Sequence, residues 1–150
     1  MLREATAADL HAITRLYHQL NPDDPVLADG SDHAVYRRIL DTPGLHLLVW
    51  EHAGAVAATT YLNIIPNLSR SASPYAVIEN VVVEESLRGR GIGKRLMAGT
   101  LAAAWDAGCY KAMLATGSRD PATHGFYRSC GFSTDDKTSF VARPPGDLRT

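Results

Sequence analysis

The chain has 150 residues, 45% hydrophobic and 21% charged, which is the usual balance of one soluble globular domain that can bury a sizeable core. Its 15 Lys and Arg and 16 Asp and Glu give a formal net charge of -1. With this near-zero net charge, the protein lacks the strong positive electrostatic field that would attract it to nucleic acid or to an anionic membrane. No stretch approaches the roughly 20 apolar residues of a membrane span, and the first residues lack a signal pattern. We therefore expect a single cytoplasmic domain over residues 1–150.

The cysteines and histidines show no spacing typical of a metal site. Cys109 and Cys130 form no CxxC pair, and two cysteines are too few for a disulfide scaffold. The six histidines contain no HExxH or similar pattern. We expect both cysteines to be buried thiols and no metal to be bound.

The N-terminal part of the chain is predicted to form two helices. Thr6 can accept hydrogen bonds from the first amides of a helix, and Asp9 suits the positive end of its dipole. Apolar residues then recur at helical spacing over residues 10–20. Ser31 is expected to cap a second helix, which stops at 42–44.

The rest of the chain alternates between strand and helix patterns. Branched and aromatic residues between turn signals predict strands, and apolar residues at helical spacing predict helices. The predicted elements are strands at 45–51 and 55–65, a polar loop at 67–74, a strand at 75–83 that carries one acid, Glu79, a helix at 92–106, a strand at 111–115, a helix at 121–130 and a last strand at 139–142. This order predicts a mixed α/β sheet with helices on both faces.

A glycine-rich segment, Arg88-Gly-Arg-Gly-Ile-Gly-Lys-Arg95, stands between the apolar strand and the helix that follows it. Glycines let the backbone approach a bulky ligand, and the amides of the turn and of the helix N-terminus supply partial positive charge. With four cationic side chains, the segment predicts an anion cradle for a ligand with more than one phosphate. The spacing matches neither a Walker A loop nor the GxGxxG dinucleotide fingerprint. The expected ligand contacts are Arg88, Gly89, Arg90, Gly91, Ile92, Gly93 and Lys94.

Two motifs carry a resemblance to a known family. Arg88, Gly91 and Gly93 satisfy the pattern Arg or Gln, x, x, Gly, x, Gly or Ala, and the segment 125–132 resembles FYxxxGF. The chain is similar in these motifs to the GNAT (Gcn5-related N-acetyltransferase) superfamily, in which the glycine-rich turn binds the pyrophosphate of acetyl-CoA. The resemblance implies an α/β (α+β) single-domain fold with a mixed, mostly antiparallel central sheet flanked by helices. The family often carries Asn and Ala where this chain has Asp120 and Thr123.

Transfer of an acetyl group from a thioester to an amine needs a base for the ammonium proton and an acid for the leaving thiolate. Glu79 is the expected base, acting directly or through water, because partial burial on an apolar strand would make its carboxylate more basic. The alternative is a strand acid that faces solvent or pairs with an Arg. Tyr127 is the expected acid, since a phenol stays protonated at neutral pH, and the alternative is an aromatic that packs in the core or on the cofactor. No covalent intermediate is needed.

The resemblance also implies contacts to the cofactor and the acceptor. Backbone amides of Val81, Val82 and Val83 are expected to pair with the pantetheine arm. His124 either assists proton transfer or touches the cofactor, or it is a helix-surface residue without a role. Further acetyl-CoA contacts are expected from Gly117, Ser118, Thr123, Phe126, Tyr127 and Arg128.

The acceptor is expected between the loop at 21–31, which carries several acids, and a strand face with Thr59, Tyr61 and Asn63. Tyr61 and Glu79 are the expected contacts. The stretches 78–83 and 107–111 are similar to those of glucosamine-6-phosphate N-acetyltransferases, which implies an amino sugar or another small amine, and a homodimer.

Three functions stay open. The first is an N-acetyltransferase that acts on a primary amine of a small molecule by direct attack in a ternary complex. The second is a protein or peptide N-acetyltransferase, and the third is a non-catalytic acyl-CoA-binding regulatory module. Retention of both Glu79 and Tyr127 argues against the third. Nucleic-acid binding through 88–95 ranks last because the cluster is short and lacks interleaved aromatics.

Overall fold

A computed structural model of the chain describes residues 1–146. The chain divides into two compact units, Met1–Met113 and Leu114–Thr150. Within the described residues, no helix has the length and apolarity that a membrane crossing requires.

The first unit is built on a five-stranded sheet in which the strands follow their order in the chain. Neighbouring strands are antiparallel, except for the last pair, which is parallel. The strands are β1 (Leu2–Glu4), β2 (Leu45–His52), β3 (Ala55–Ile65), β4 (Tyr75–Val83) and β5 (Ala112–Met113). The helices of this unit are α1 (Leu10–Leu20), α2 (Ser31–Asp41), the single turn α3 (Ser69–Ala72) and α4 (Ile92–Asp106). The mixed, mostly antiparallel sheet is the predicted fold class.

Helices cover both faces of this sheet. On one face, side chains of α1 and α2 such as Leu16 and Tyr36 pack with Val49 of β2. On the other face, Leu96 of α4 packs with Ala58 of β3, and Trp50 lies against them. Val49 and Trp50 are adjacent on one strand and point to opposite faces, so two apolar layers form.

The start of α1 is tied to the sheet by a buried carboxylate. Thr6 and Asp9 form the expected cap around a 3-10 turn, Ala7–Asp9, which precedes α1. Asp9 is only 7% exposed and accepts two hydrogen bonds from Arg3, at 2.7 and 3.0 Å. Arg3 also donates to Glu51 of β2 at 2.9 Å. This cluster joins β1, the cap and β2.

The second unit contains α5 (Pro121–Ser129), which begins and ends as its sequence indicates. The Asp120 carboxylate accepts from the Ala122 amide at 2.9 Å, and Pro121 occupies the first turn. Gly131 follows the helix with a φ of 99°, the left-handed region that ends many helices.

Two expectations about elements are wrong, and one strand was not predicted at all. Strand β1 was not expected, because three residues carry no periodicity. Ser31 does not cap α2: Gly30 holds the cap position, and the Ser31 amide and hydroxyl donate to Asp29 instead. The segment 139–142 is not a strand, since it makes no ladder and exposes Phe140 and Val141 by 91% and 71%.

Candidate active site

Strand β4 carries a bulge in its middle. Thr59 pairs with Val82 and Tyr61 pairs with Glu79, so the two residues Asn80 and Val81 lie opposite the single Thr60 of β3. Asn80 has a φ of 53°, in the left-handed region. The backbone of β4 therefore leaves the regular ladder directly after the predicted base.

Strand β4 also loses its partner on the other edge. The parallel pairing with β5 consists of Ala76 with Ala112 and Val77 with Met113. Beyond Val77, β4 pairs with β3 alone among the described strands. Val81, Val82 and Val83, the residues predicted to serve an extended ligand arm, lie in this part of the strand.

The glycine-rich turn leads from β4 into α4 through left-handed residues. Gly89 and Gly91 have φ values of 80° and 77°, and Gly91 is the N-cap of α4. No side chain caps this helix end, and a Cβ at either glycine would meet no atom within 4 Å. The first amides of α4 therefore have no side-chain cap and carry partial positive charge, which suits an anion.

The cationic side chains of this turn divide into two groups. Arg95 folds back, because its guanidinium donates to the Gly91 and Arg90 carbonyls and lies 5.2 Å from the Trp50 ring centre. Arg88 donates to the Val83 carbonyl at 3.2 Å and so joins the turn to the end of β4. Arg90 and Lys94 are exposed. Arg88, Arg90 and Lys94 stay available to phosphates, whereas Arg95 stabilises the turn.

Glu79 and Tyr61 lie opposite each other on β4 and β3. Glu79 is exposed, which contradicts the partial burial that we expected for it. Tyr61 is half-buried and packs against the core on the α1 face, and this burial raises the pKa of its phenol. The pair offers a carboxylate in contact with solvent beside an aromatic ring.

Tyr17 and Asn80 were missed by the sequence analysis. Burial raises the pKa of the Tyr17 phenol to about 12, and the neighbouring Asn80 side chain opposes part of this shift. The sequence did contain a signal for an irregularity at Asn80, because this Asn interrupts a run of branched residues. Asn is depleted in strands and tolerates the left-handed region. Nothing in the sequence indicated that Tyr17 lies near Asn80.

In the second unit, Tyr127 lies on α5 between two other aromatic residues. Its ring centre is 5.2 Å from that of Phe126 and 6.1 Å from that of Phe132, both in edge contacts. Burial raises the pKa of the Tyr127 phenol, and the nearby Cys130 thiol adds to the shift. The hydroxyl therefore stays protonated well above neutral pH, as a general acid requires.

The loop before α5 is fixed by short polar contacts. The Ser118 hydroxyl donates to Thr123 at 3.2 Å, and the His124 ring contacts the Ser118 carbonyl at 2.7 Å. His124 thus holds the loop, which favours a structural role. Arg128 is exposed and Gly117 lies in the same loop.

The expected acceptor residues do not all face solvent. Thr59 is fully buried and its hydroxyl donates to the Leu48 carbonyl at 2.8 Å, so it lines no acceptor site. Asn63 donates to the Tyr61 and Val77 carbonyls and bridges β3 to β4. The acids of the loop at 21–31 are exposed. A surface groove elsewhere on the first unit has no charged residue in its lining, which consists of Ile64, Pro66, Asn67, Leu68, Ala72 and Pro74.

A bulged strand followed by a left-handed glycine turn and an uncapped helix N-terminus is an arrangement that suits a phosphate-bearing ligand. Residues 10–132 match the model of the Acetyltransferase (GNAT) family. The chain belongs to this family and is an acetyl-CoA-dependent N-acetyltransferase.

Relatives agree with this assignment and with the likeness drawn from the sequence. Glucosamine 6-phosphate N-acetyltransferase 1 of Oryza sativa subsp. japonica is 32% identical over 120 residues, which cover 78% of this chain and 70% of the relative. Aminoglycoside N(6')-acetyltransferase type 1 of Stenotrophomonas maltophilia is 28% identical over 147 residues, 95% of this chain and 92% of the relative. A solved structure from Agrobacterium tumefaciens str. C58 is 46% identical with a TM-score of 0.91, over 96% of this chain and 99% of that chain.

Proposed function

We propose that the protein transfers the acetyl group of acetyl-CoA to a primary amine of a small molecule, with amino sugars as the first acceptor class. The observation that carries the proposal is the left-handed turn at Gly89 and Gly91, which opens the uncapped N-terminus of α4 directly after the bulged β4. GNAT acetyltransferases use acetyl-CoA, and the open space around Gly89 and Gly91, together with the uncapped helix N-terminus, supports this turn as the site of its pyrophosphate.

In the proposed site, the amides of Gly91, Ile92, Gly93 and Lys94 bind the phosphates together with the side chains of Arg88 and Arg90. Gly89 gives the turn its left-handed start. The edge of β4 at Val81, Val82 and Val83 supplies backbone groups to the pantetheine arm. From the second unit, we propose contacts by Gly117, Ser118, Thr123, Phe126, Tyr127 and Arg128.

The proposed chemistry is direct attack by the amine. Glu79 removes a proton from the acceptor ammonium through a water molecule, because its carboxylate is exposed to solvent. The amine nitrogen forms a bond to the acetyl carbonyl carbon, and the carbon–sulfur bond breaks. Tyr127 gives a proton to the leaving sulfur, and the proton that the attached nitrogen then loses passes through solvent to the Tyr127 phenolate, so the products are an amide and the CoA thiol and Tyr127 is restored.

Tyr61 and Glu79 are the proposed acceptor contacts. An aromatic ring next to a carboxylate suits a cationic amine attached to an apolar or sugar body. The relative from Oryza sativa acts on glucosamine 6-phosphate by its name, which supports an amino sugar. The relative from Stenotrophomonas maltophilia, of which the match covers 92%, is named for aminoglycosides. An aminoglycoside is therefore the second proposed acceptor class.

A homodimer is proposed by likeness to glucosamine-6-phosphate N-acetyltransferases. A light-scattering mass of about twice 16.2 kDa would support it, and a mass of 16.2 kDa would refute it. Cytoplasmic localisation remains a prediction from the sequence.

The direct test is a thiol-release assay with acetyl-CoA and a panel of amines. The panel holds glucosamine 6-phosphate, glucosamine, an aminoglycoside, a polyamine and a peptide with an unblocked N-terminus. We expect the largest kcat/KM for an amino sugar, with product mass confirming one added acetyl group. A peptide as the best acceptor would overturn the small-molecule proposal.

A further inference from the structure

A short connector, residues 84–88, joins the end of β4 to the glycine-rich turn. It contains one 3-10 turn, Glu85–Leu87, and the side chain of the N-cap residue Glu84 does not cap it. Within the connector, the Leu87 amide donates to the Glu84 carbonyl at 2.9 Å. A single turn of this kind has few internal hydrogen bonds, so contacts with neighbouring elements must fix its direction.

Gln19, in the last turn of α1, makes two hydrogen bonds to this connector. Its side-chain nitrogen donates to the Glu84 carboxylate at 2.9 Å, and its side-chain oxygen accepts from the Glu85 backbone amide at 3.0 Å. A carboxylate only accepts and a backbone amide nitrogen only donates, so one orientation of the Gln19 amide satisfies both partners. The two bonds fix both the distance and the direction of the connector relative to α1.

Arg15 adds an ion pair to the same carboxylate. Arg15 lies one turn before Gln19 on the same face of α1, and its guanidinium contacts Glu84 and, at 3.4 Å, the Val56 carbonyl of β3. The ion pair is partly exposed, with 45% of the Arg15 side chain and 20% of the Glu84 side chain accessible. Ion pairs at such positions contribute little to folding stability. We therefore expect these contacts to act mainly on the position of the connector.

The position of the connector matters because the turn that follows it is flexible by composition. Gly89 and Gly91 have no side chains and adopt left-handed φ values, so the turn takes its direction from the residues before it. Arg88, a proposed phosphate contact, is the last residue of the connector. A ligand that binds a turn already in place loses no affinity to the ordering of that turn. Contacts that hold the connector should therefore strengthen the binding of a phosphate-bearing ligand.

We propose that Gln19 is a positioning residue for acetyl-CoA binding: its two hydrogen bonds hold the connector on α1, and the connector thereby keeps the glycine-rich turn in place for the phosphates. This inference rests on the proposed function. Gln19 acts through Glu84 and Glu85 and is assigned no contact with the cofactor or the amine.

The first test is Gln19→Ala, which removes both hydrogen bonds. We expect the Kd of acetyl-CoA, measured by calorimetry, to rise about fivefold, because the turn must then be ordered on binding. The KM for acetyl-CoA should rise with it, while kcat at saturating acetyl-CoA stays within about twofold of the wild type. An unchanged Kd would overturn the proposal, even if urea unfolding showed a loss of stability.

The second test exchanges the two partners. Gln19→Glu places a carboxylate against that of Glu84, and the repulsion should raise the Kd of acetyl-CoA about tenfold. Adding Glu84→Gln restores one donor and one carboxylate in reversed positions, and the introduced carboxylate still accepts from the Glu85 amide. The double variant should therefore return to within about twofold of the wild-type Kd. The single variant Glu84→Gln completes the cycle, and additive effects of the two substitutions on the Kd would contradict the proposal.

Thr14→Glu is the matched control. It adds the same charge to an exposed position of α1, where the Thr14 hydroxyl donates only within its own helix, to the Leu10 and His11 carbonyls. The Kd of acetyl-CoA should stay within about twofold of the wild type. An equal rise in Kd for Thr14→Glu and Gln19→Glu would mean that charge on α1, rather than contact with the connector, governs binding.

Hydrogen exchange of the Glu85 amide reports the contact without any ligand. It should be faster in Gln19→Ala than in the wild type, and equal exchange would show that Gln19 does not hold the connector. If the wild type binds acetyl-CoA but acetylates no amine, the proposed function fails, and the Kd comparison still decides the role of Gln19. If the wild type acetylates an amine and Gln19→Ala keeps the wild-type Kd, the positioning inference fails on its own.

Discussion

The two side chains proposed for proton transfer have different surroundings. Glu79 is exposed on β4, whereas Tyr127 is half-buried beside Phe126 and Phe132. An exposed carboxylate exchanges protons readily with water, and a buried phenol resists ionisation because burial raises its pKa. This difference supports a base that works through solvent and an acid that is protonated across the physiological range.

Tyr127→Phe tests the acid directly. Loss of the proton donor should lower kcat by about a hundredfold, since general acids contribute ~100-fold or more. The Kd of acetyl-CoA should change little because the ring stays in place. Steady-state kinetics and calorimetry measure the two quantities. Tyr110→Phe, on the surface of the first unit, is the control, and equal kcat in both variants would remove Tyr127 from the mechanism.

At the scale of elements, the Arg3–Asp9 contact joins β1 to the start of α1. The Arg3 side chain holds the pKa of Asp9 at about 2, below its usual 3.8. A lowered pKa stabilises the folded state above pH 3.8, and the contribution is lost as the pH falls towards 2. The shift corresponds to about 2 kcal/mol at neutral pH.

Asp9→Asn should therefore lower the free energy of unfolding by about 2 kcal/mol at pH 7. Urea unfolding at a series of pH values should show the gap to the wild type closing as the pH falls from about 4 to 2. Asp24→Asn, in an exposed loop, should stay within about 0.5 kcal/mol of the wild type. A gap that does not depend on pH would mean that the Asp9 charge is not what stabilises this junction.

Helix α4 offers a matched pair of glycines, one at each end. Gly91 and Gly108 both have left-handed φ values, 77° and 84°, and open space where a Cβ would stand. Gly91→Ala and Gly108→Ala should each cost about 1 kcal/mol of stability through backbone strain. Only Gly91→Ala should weaken acetyl-CoA binding, by about tenfold or more, because its Cβ fills the cradle. Equal Kd values for the two variants in calorimetry would contradict the proposed phosphate site.

Local sequence patterns predicted some secondary-structure elements correctly and others wrongly. Strand β4 has the bounds that its apolar run predicts, and the cap at Thr6 and the turn at Gly91 also follow from local sequence. The bulge at Asn80 could not be predicted, because register is a property of two strands together. The expected strand at 139–142 failed for the same reason, since strand-forming residues need a partner.

For the whole molecule, the near-zero net charge conceals an uneven distribution. Arg90 and Lys94 stand exposed at the proposed phosphate site, while the exposed acids of the loop at 21–31 lie in another part of the chain. A ligand with several phosphates should therefore be attracted locally, although the chain as a whole carries a charge of -1.

Salt dependence measures this local attraction. Raising the salt from about 0.1 to about 1 M shortens the Debye length from ~10 to ~3 Å and should raise the Kd of acetyl-CoA severalfold. Arg90→Gln combined with Lys94→Gln should flatten this dependence. Arg37→Gln with Arg38→Gln, on the exposed side of α2, should leave it as in the wild type. If the Kd of acetyl-CoA depends equally on salt in the wild type and in both double variants, Arg90 and Lys94 do not contact the phosphates.

The early end of the β4–β5 pairing has a consequence for solubility. Beyond Val77, the edge of β4 on the β5 side has no ladder partner among the described strands, and such an edge invites strands of other chains to add to it. An exposed charge and a bulge are two features that discourage such addition, and β4 carries both, at Glu79 and Asn80. We therefore expect Glu79, the proposed base, also to oppose aggregation, so Glu79→Val should precipitate at lower concentration than Glu79→Gln.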